Sequence, residues 1–391
     1  MLPPIPGMTF NCSARHGYLC IKPRGHVLPC SRWKERGKKQ PPLDMFETFE
    51  DILDYYQSII HIPSEAWPNG CLLCHRDASC SRWSLMDTTN KTVERSGNTV
   101  QYLEIGFDNI CNMNCVMCGA QYSSRWDKLV KDNKEFLSKY NLTEYNSPPS
   151  IYDNVMRLLE SSDLSRLNTI RIMGGEPMYS KASLKFLEWF MDKDVSNIVL
   201  MFNTNATVFP TKLVDLFKRF KCIIPKTSID GAHEVAEWGR NSPVPFKKIE
   251  EVVGSWNEYA RQNNNVKLTC FSAIHLANIE HLGALSEWLN NYDQYVIRQM
   301  GLVQMNDYMT PLALSRKDRQ LLWQEQYTRY DDMKLFINYE TFLNAHQLKG
   351  YPVKNIIDYI EWWDTLNNNK FKDLSPKVWK IINNLYKEEN K

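Results

Sequence analysis

The sequence predicts an α/β fold, flanked by a cysteine-rich N-terminal segment and a helical C-terminal extension. Three observations lead to this prediction. Short apolar runs between residues 99 and 303 alternate with amphipathic stretches, the order that βαβ units require. Nine of the 11 cysteines lie before residue 119. Residues 313–391 are rich in tyrosine and asparagine and carry helical patterns.

Six predicted strands form the centre of this fold. Leu103, Ile105 and Phe107 alternate with polar or small neighbours, and Ile170 and Ile172 do the same. The other four apolar runs lie at 198–202, 222–229, 266–274 and 295–303. Strands separated by helices pair in parallel through right-handed crossovers. Six of them therefore predict an open, partial (β/α)6 barrel.

The stretches between these strands have the spacing of amphipathic helices. Ser180 is placed to cap a helix in which Leu184, Leu187 and Phe190 share one face. Further helices of the same kind are predicted around 213–220, 249–256 and 282–289. Outside this region, helical patterns cover 46–60, 315–335 and 355–388.

These patterns divide the chain into three predicted domains: 1–97, 98–312 and 313–391. The first is cysteine-rich, the second is the α/β core and the third is the helical extension. Within the first, the segment from Tyr18 to Cys30 is a predicted hairpin that turns at Pro23–Gly25. This geometry places Cys20 on the first strand and Cys30 on the second.

Composition narrows the class of protein. The 391 residues include 47 Lys and Arg against 45 Asp and Glu, a net charge of +2, which gives no global electrostatic reason to expect nucleic-acid binding. No apolar run approaches the ~18 residues that a membrane helix needs. Residues 1–10 contain three prolines and no basic segment of the secretory type. We therefore expect a cytoplasmic protein that binds neither membranes nor nucleic acids.

Three cysteines form a C-x3-C-x2-C loop directly after the first strand of the predicted core. Cys111, Cys115 and Cys118 are spaced so that their thiolates can hold one cubane iron–sulfur cluster. Three ligands leave one iron without a protein ligand, just as catalytic zinc sites keep an open position. A substrate or cofactor could bind there. On the cysteines alone, a structural zinc site completed by a distant residue is the alternative.

Three further short motifs follow the next three predicted strands. They are Gly174–Pro177, Asn203–Thr207 and Ser228–Gly231. Because the carboxyl ends of parallel strands meet at one edge, these motifs and the cysteine loop predict a single site. Taken one by one, the glycines at 174–175 could serve only a tight turn, and Asp230 an ordinary turn.

This combination of motifs resembles the radical S-adenosylmethionine (SAM) superfamily over roughly residues 99–303. The resemblance implies that Cys111, Cys115 and Cys118 hold a [4Fe–4S] cluster whose fourth iron is chelated by SAM. One-electron reduction then cleaves SAM to methionine and a 5′-deoxyadenosyl radical, which abstracts a hydrogen atom from a substrate. A reducing partner such as a flavodoxin or ferredoxin is also implied.

The resemblance further implies a set of contacts to SAM. Its methionine moiety would be lined by Gly174, Gly175, Glu176 and Pro177. Asn205 would lie near the ribose or adenine, and Ser228 and Asp230 would face the ribose. Arg240 resembles an arginine that contacts SAM in several relatives, although alone it could be a surface ion-pair partner. Met117 stands where the family commonly has an aromatic residue, and its thioether can fill the space beside adenine.

A second group of cysteines lies upstream of the core. Cys12 and Cys30, with the C-x2-C pair Cys71 and Cys74, supply four thiolates, enough for a closed [4Fe–4S] cluster or a structural zinc. Together with Gly25 their spacing resembles the twitch domain, the short form of the SPASM domain, which binds one auxiliary [4Fe–4S] cluster. Such domains often follow the barrel, whereas these cysteines precede it.

The remaining cysteines are predicted not to bind metal. Cys20 and Cys80 are left over from the twitch pattern. Ser84 stands where the longer SPASM pattern has its next cysteine, so a second auxiliary cluster is not expected. Cys222 and Cys270 lie in apolar runs, where small buried thiols need no functional explanation.

The sequence therefore predicts a radical SAM enzyme with an auxiliary cluster. Enzymes with twitch or SPASM domains often modify ribosomally made peptides, so a peptide or protein is the expected substrate. Two alternatives stay open. One is a radical SAM enzyme that acts on RNA or a small molecule, and the other is a non-catalytic zinc or iron–sulfur binding module.

Overall fold

The computed structural model describes residues 17–34, 40–60, 69–71, 98–146, 149–303, 307–329, 336–337, 347 and 352–391. Its strands are β1 (Tyr18–Ile21), β2 (Val27–Leu28), β3 (Tyr102–Gly106), β4 (Thr169–Met173), β5 (Val199–Thr204), β6 (Cys222–Ser228), β7 (Thr269–Ile274), β8 (Ile297–Leu302) and β9 (Phe336–Ile337).

The helices up to the end of the α/β core are α1 (Phe49–Ile60), α2 (Ser124–Asp132), α3 (Lys134–Ser138), α4 (Tyr152–Ser161), α5 (Lys181–Glu188), α6 (Val214–Arg219), α7 (His233–Arg240), α8 (Phe246–Gln262) and α9 (Leu282–Leu289). The C-terminal helices are α10 (Arg316–Arg329), α11 (Val353–Thr365), α12 (Phe371–Leu374) and α13 (Pro376–Glu389).

The chain divides into two compact units. Unit 1 contains residues 1–109, 147–202 and 212–223, and unit 2 contains residues 110–146, 203–211 and 224–391. Because the chain passes between them several times, each unit is built from segments that are distant in sequence.

The strands of unit 1 lie in the order β2-β1-β3-β4-β5. The hairpin strands β1 and β2 are antiparallel, whereas β1–β3, β3–β4 and β4–β5 are parallel. One face of this sheet is apolar and is covered by helices: Phe107 packs on Phe186 of α5, and Phe202 stacks on Phe217 of α6. Ile105 and Ile172 are fully buried on the same face. Burial of this face is the main source of the stability of unit 1.

The strands of unit 2 lie in the order β6-β7-β8-β9, and each pair is parallel. Arg298 of β8 is buried and donates to the Ser286 carbonyl and the Asn290 side chain, which ties the strand to α9. In the C-terminal extension, Tyr359 and Trp363 of α11 are fully buried. The extension is therefore part of the core of unit 2.

The predicted fold class is confirmed in its α/β order, its parallel strands and its helical C-terminal extension. All six predicted core strands are present as β3 to β8. The Ser180 cap is also present, because its side chain accepts a hydrogen bond from the Ser183 amide at the start of α5.

Two details differ from the prediction. The predicted hairpin turns at Gly25, which has a φ of 72°, but β2 ends at Leu28, so Cys30 follows the second strand instead of lying in it. The predicted helical region 355–388 is broken into three helices, and Pro376 begins the last of them because a proline at this position lacks only an amide that would be unpaired anyway.

The three predicted domains stay a prediction, although β1, from the cysteine-rich segment, pairs with β3 of the core in one sheet. Among the residues that the structure describes, no helix has both the length and the apolar character needed to cross a membrane.

Candidate metal centre and cofactor site

The three-cysteine loop, residues 111–118, is fixed from one side by the helix that follows it. Ser123 caps α2: its hydroxyl accepts from the Trp126 amide at 3.2 Å and donates to the Met113 carbonyl at 2.5 Å. The Trp126 indole donates to the Cys115 carbonyl at 2.7 Å. The backbone on both sides of the central cysteine is therefore bonded to α2.

A second contact comes from the C-terminal end of α7. The amide of Val116 donates to the Gly239 carbonyl at 2.7 Å. The next residue, Arg240, reaches the loop with its side chain, and its Nη1 lies 3.9 Å from the Cys115 sulfur. Its Nη2 forms an ion pair with Asp230 at 2.7 Å, and the Ala273 amide donates to the other Asp230 oxygen at 2.7 Å.

A closed ring of side-chain hydrogen bonds forms a third contact with the loop. Asn205 donates to Asn112 at 2.8 Å, Asn112 donates to the Thr207 hydroxyl at 2.9 Å, and that hydroxyl donates back to Asn205 at 2.7 Å. The Asn205 amide nitrogen also lies 3.8 Å from the Cys111 sulfur. Two of the three thiols thus each face a hydrogen-bond donor of unit 2.

Burial dominates the electrostatics of these groups. Burial raises the pKa of Asp230, and the adjacent Arg240 opposes the rise. Burial acts to lower the pKa of Arg240. The negative charges of Asp230, Cys115 and Cys111 act in the opposite direction and are stronger together, so the pKa of Arg240 is raised. We infer that Arg240 stays charged, because its negative partners hold the proton.

The pKa of the third thiol is also shifted. Burial, with the neighbouring Cys115, raises the pKa of Cys118 to about 12. A thiol must lose its proton to bind a metal, so ligand formation at Cys118 would release a proton and would be favoured by a positive charge nearby. Arg240 supplies such a charge, since it acts to lower the pKa of Cys118.

The three thiols of the loop make up the donor set of this site. Within the described ranges, no three Cys, His, Asp or Glu side chains converge tightly enough to hold one metal ion. A cubane binds each thiolate at a different iron, so its ligands stand further apart than those of a mononuclear zinc site. Three thiols on one short loop, two of them beside donors that can stabilise sulfur charge, suit that arrangement.

Several polar atoms near the loop are buried without a hydrogen-bond partner among the described residues. They are the Asn114 side-chain oxygen, Nε of Arg240 and Nε2 of His275. Buried polar groups are normally paired, so each of these atoms needs a partner that the described part of the chain does not provide. Two donors and an acceptor beside the cysteine loop fit a polar cofactor such as SAM.

In unit 1, Gly174–Pro177 forms the turn between β4 and α5. Gly174 has a φ of 116°, and a Cβ there would lie 2.6 Å from the Asp108 carbonyl oxygen. Asp108 also holds the turn from the side, accepting from the Ser180 hydroxyl at 2.7 Å. Glu176 is buried and accepts from the Met178 amide at 3.1 Å. The turn interpretation therefore holds for Gly174, and the SAM contact of this motif stays a prediction.

The structure brings five of the seven predicted site residues of unit 2 into contact around the loop: Cys111 with Asn205, and Cys115 with Arg240 and, through it, Asp230. Ser228 is the last residue of β6 and pairs with β7 beside this network. Sequence reasoning assigned no role to Asn112 and Thr207, although both lie inside predicted motifs, and it missed Trp126 and His275 altogether. The two asparagines within the loop, at 112 and 114, were a weak polar signal for the first of these.

The second cysteine group is partly visible in unit 1. Cys30 is buried and Cys71 is half-buried. The chain just after Cys30 contacts the chain just before Cys71: the Lys34 amide donates to the Gly70 carbonyl at 2.8 Å. Trp33 packs so tightly there that a Cβ on Gly70 would lie 2.0 Å from its ring.

The remaining cysteines lie outside the two proposed ligand groups or outside the described residues. Cys12, Cys74 and Cys80 lie outside the described residues. Cys20 is buried in β1, and its thiol donates to the Glu104 carboxylate at 3.8 Å. Cys270 is buried as predicted, whereas Cys222 is half-buried.

The chain is similar to several proteins of known structure. Against hexahistidine-tagged anSMEcpe with bound AdoMet, identity is 17% and the TM-score 0.42, over 64% of this chain and 61% of that one. The match thus spans less than two thirds of anSMEcpe. A second similar structure is TsrM from Kitasatospora setae, a radical S-adenosylmethionine methyltransferase with cobalamin and a [4Fe-4S] cluster bound. Identity to TsrM is 12% and the TM-score 0.36, over 52% of this chain and 34% of TsrM.

A third similar structure is SuiB from Streptococcus suis bound to the precursor peptide SuiA. Identity is 13% and the TM-score 0.38, over 82% of this chain and 71% of SuiB. No protein-family model and no curated protein match the chain.

Proposed function

We propose that the chain is a radical SAM enzyme of the partial-barrel type. A [4Fe–4S] cluster on Cys111, Cys115 and Cys118, with SAM bound, would supply reductive SAM cleavage and hydrogen abstraction from a peptide or protein substrate. The observation that carries this proposal is the network in unit 2. Asn205, from the end of β5, and Arg240, from α7, donate to two sulfurs of a C-x3-C-x2-C loop.

The residues around the loop have defined tasks in this proposal. Arg240 stabilises negative charge on the Cys115 sulfur, and Asp230 holds the guanidinium in place. Asn205 does the same for Cys111 as a neutral donor. Hydrogen bonds to ligand sulfurs are among the factors that set cluster reduction potential. Both members of the ion pair are themselves buried, with side chains 8% and 2% exposed.

The proposed SAM contacts are Gly174, Gly175, Glu176, Pro177, Asn205, Ser228, Asp230 and Arg240. Among the side chains, Arg240 has the clearest capacity, because its Nε is buried with no protein partner that the structure describes. A guanidinium edge is suited to a carboxylate, and the methionine moiety of SAM carries one. Asn114, with an unpaired oxygen, adds a place for a donor such as an amine.

We also propose an auxiliary [4Fe–4S] cluster in a twitch-like N-terminal domain, with Cys12, Cys30, Cys71 and Cys74 as ligands. The contact between Lys34 and Gly70 supports it, because it places the chain beside Cys30 next to the chain beside Cys71. A one-electron reductant such as a flavodoxin or ferredoxin would complete the system in the cytoplasm.

The test uses anaerobically reconstituted protein, SAM and a reductant. We expect an iron–sulfur spectrum that changes when SAM is added, and formation of 5′-deoxyadenosine. Cys115→Ala should abolish both effects, since two thiolates do not hold a cubane with one defined open iron. Cys222→Ala is the matched control, because this half-buried cysteine lies at the start of β6 and should leave both unchanged.

Two outcomes would contradict the proposal. Full SAM cleavage by Cys115→Ala would remove the cysteine loop from the chemistry. Zinc in place of iron in protein purified without air, with no response to SAM, would favour the non-catalytic binding module.

A further inference from the structure

A row of four side chains, two of them charged, crosses the sheet of unit 1. Cys20 of β1, Glu104 of β3, Arg171 of β4 and Met201 of β5 lie side by side in strand register. Their neighbours along each strand point to the apolar face that α5 and α6 cover. The row therefore lies on the face of the sheet opposite to α5 and α6.

Glu104 is held firmly in this row. Its side chain is 2% exposed, and the Tyr18 hydroxyl donates to Oε2 while the Cys20 thiol donates to Oε1. Tyr18 is itself fixed, because its ring stacks on Tyr102 at 4.4 Å with an interplanar angle of 9°. A buried carboxylate that accepts two donors is a rigid element that can orient a neighbouring cation.

Arg171 is held far more loosely. Its guanidinium lies 3.8 Å from Glu104 Oε2, and it makes no hydrogen bond to any residue that the structure describes. The side chain is only 14% exposed, so most of it has left water. A guanidinium has five donors in a planar fork, and a largely buried one is normally hydrogen-bonded. Arg171 thus has guanidinium donors that no described residue accepts, on the face of the sheet opposite to α5 and α6.

We propose that Arg171 anchors a carboxylate of the substrate. This inference rests on the proposed function in one respect only, namely that the substrate is a peptide. The planar fork matches the two oxygens of a carboxylate. Glu104 favours a monoanion, because one negative charge already stands beside the guanidinium and a phosphate dianion would meet stronger repulsion. The carboxylate could belong to an Asp or Glu side chain or to a free C-terminus, and the experiment separates these sources.

The experiment measures peptide retention by the holoprotein with SAM, in equilibrium dialysis read by mass spectrometry. The probes are N-acetylated hexapeptide pools in two pairs. In the first pair, a central Asp is exchanged for Asn and every C-terminus is amidated. In the second, peptides without acidic residues carry a free or an amidated C-terminus. In one of the two pairs, we expect the peptides that carry the carboxylate to be retained about 10-fold more than their neutral counterparts.

Variants assign the preference to Arg171. Arg171→Gln should bring the retention ratio of carboxylate-bearing to neutral peptides close to one. Arg171→Lys should keep part of the preference, because the charge remains but the planar fork is lost. Glu104→Gln should raise retention of the acidic peptides, since the competing negative charge is gone. Lys212→Gln is the matched control, an exposed cation of the same unit whose loss should change nothing.

The inference is overturned if the wild-type protein retains the carboxylate-bearing peptides of both pairs no better than their neutral counterparts. It is also overturned if Arg171→Gln keeps the wild-type retention ratio. Thermal unfolding checks each variant, and Arg171→Lys decides the matter if Arg171→Gln does not fold. SAM cleavage is measured on the same preparations. Cleavage without acidic preference would defeat the inference alone, whereas an Arg171-dependent preference without cleavage would defeat the proposed function alone.

Discussion

Gly174 shows how a single residue in a motif can be required by its backbone. With a φ of 116° and a place for Cβ only 2.6 Å from the Asp108 carbonyl, Gly174→Ala must strain or move the turn. Strain of this kind costs of order 1–3 kcal/mol. We expect a lower free energy of unfolding and weaker SAM binding, measured by urea unfolding and by titration of the cluster spectrum.

The neighbouring glycine provides the control. Gly175 does not have a left-handed φ, so Gly175→Ala lacks the backbone penalty. An equal loss of stability in both variants would show that Gly174 is not special. Loss of SAM binding in Gly175→Ala at unchanged stability would instead support close approach of SAM to the second glycine.

His275 makes stability depend on pH. It is fully buried, and burial, with the nearby charges of Arg240 and His281, lowers its pKa to about 3. The unfolded chain titrates this group near pH 6.5, so below that pH the unfolded state binds more protons and folding stability falls as the pH falls. The slope reaches at most about 1.4 kcal/mol per pH unit for one group.

We expect His275→Gln to flatten the pH dependence of the unfolding free energy between pH 7 and pH 5, measured by urea unfolding of the holoprotein. Glutamine can still accept the hydrogen bond that the Ala277 amide gives to Nδ1. His281→Gln is the comparison, because burial also lowers the pKa of His281 and its contribution should be separate. An unchanged slope in His275→Gln would contradict the prediction.

At the scale of residues, the sequence was sufficient to predict the site residues that belong to compact motifs. Asn205, Asp230 and Arg240 were found because they follow strands or a motif at a fixed distance. Asn112 and Thr207 lie in predicted motifs, but the hydrogen bond between them was not predicted, since it joins positions 95 residues apart and depends on how the loop folds. No local pattern in the sequence records a contact of that kind.

At the scale of elements, local periodicity was sufficient for the core. β3 to β8 and the helices between them follow from apolar spacing, which needs no knowledge of distant residues. The parallel pairing of β1 with β3 did not follow, because it joins strands separated by most of the cysteine-rich segment. The role of the C-terminal extension was missed for the same reason.

Helix α11 supports the cysteine loop indirectly. The Trp363 ring stacks on Trp126 of α2 at 5.6 Å and an interplanar angle of 18°, and its indole donates to the Trp238 carbonyl of α7 at 2.9 Å. The Trp238 indole donates in turn to Asp364 at 2.7 Å. Because α2 and α7 both bond to the loop, α11 joins the two helices that hold Cys115.

We therefore expect Trp363→Ala to destabilise unit 2 by about 3–5 kcal/mol, the usual cost of deleting a buried aromatic side chain. Iron should also be lost to a chelator faster than from wild type, measured by absorbance of the released iron. Trp362→Ala is the matched control on the same helix, since Trp362 is half-buried. Equal rates of iron loss in both variants would mean that α11 does not support the loop.

At the scale of the whole molecule, the two cysteine groups belong to different units. Cys111, Cys115 and Cys118 lie in unit 2, whereas Cys30 and Cys71 lie in unit 1. If each group binds its own cubane, the protein should hold about eight irons, and the two sets should be separable by substitution. Replacing the three cysteines of the loop should remove about half of the iron and all response to SAM.

Gly70→Ala should remove the other half. A Cβ at this position would lie 2.0 Å from the buried Trp33 ring, so the chain beside Cys71 must move away from the chain beside Cys30. We expect loss of about four irons with the SAM-sensitive spectrum retained, measured by iron analysis and electron paramagnetic resonance. Gly254→Ala is the control, because its Cβ would meet only Tyr292 at 4.0 Å. Full iron content in Gly70→Ala would show that Cys30 and Cys71 do not share a cluster, and zinc in that position would assign the N-terminal cysteines a structural role.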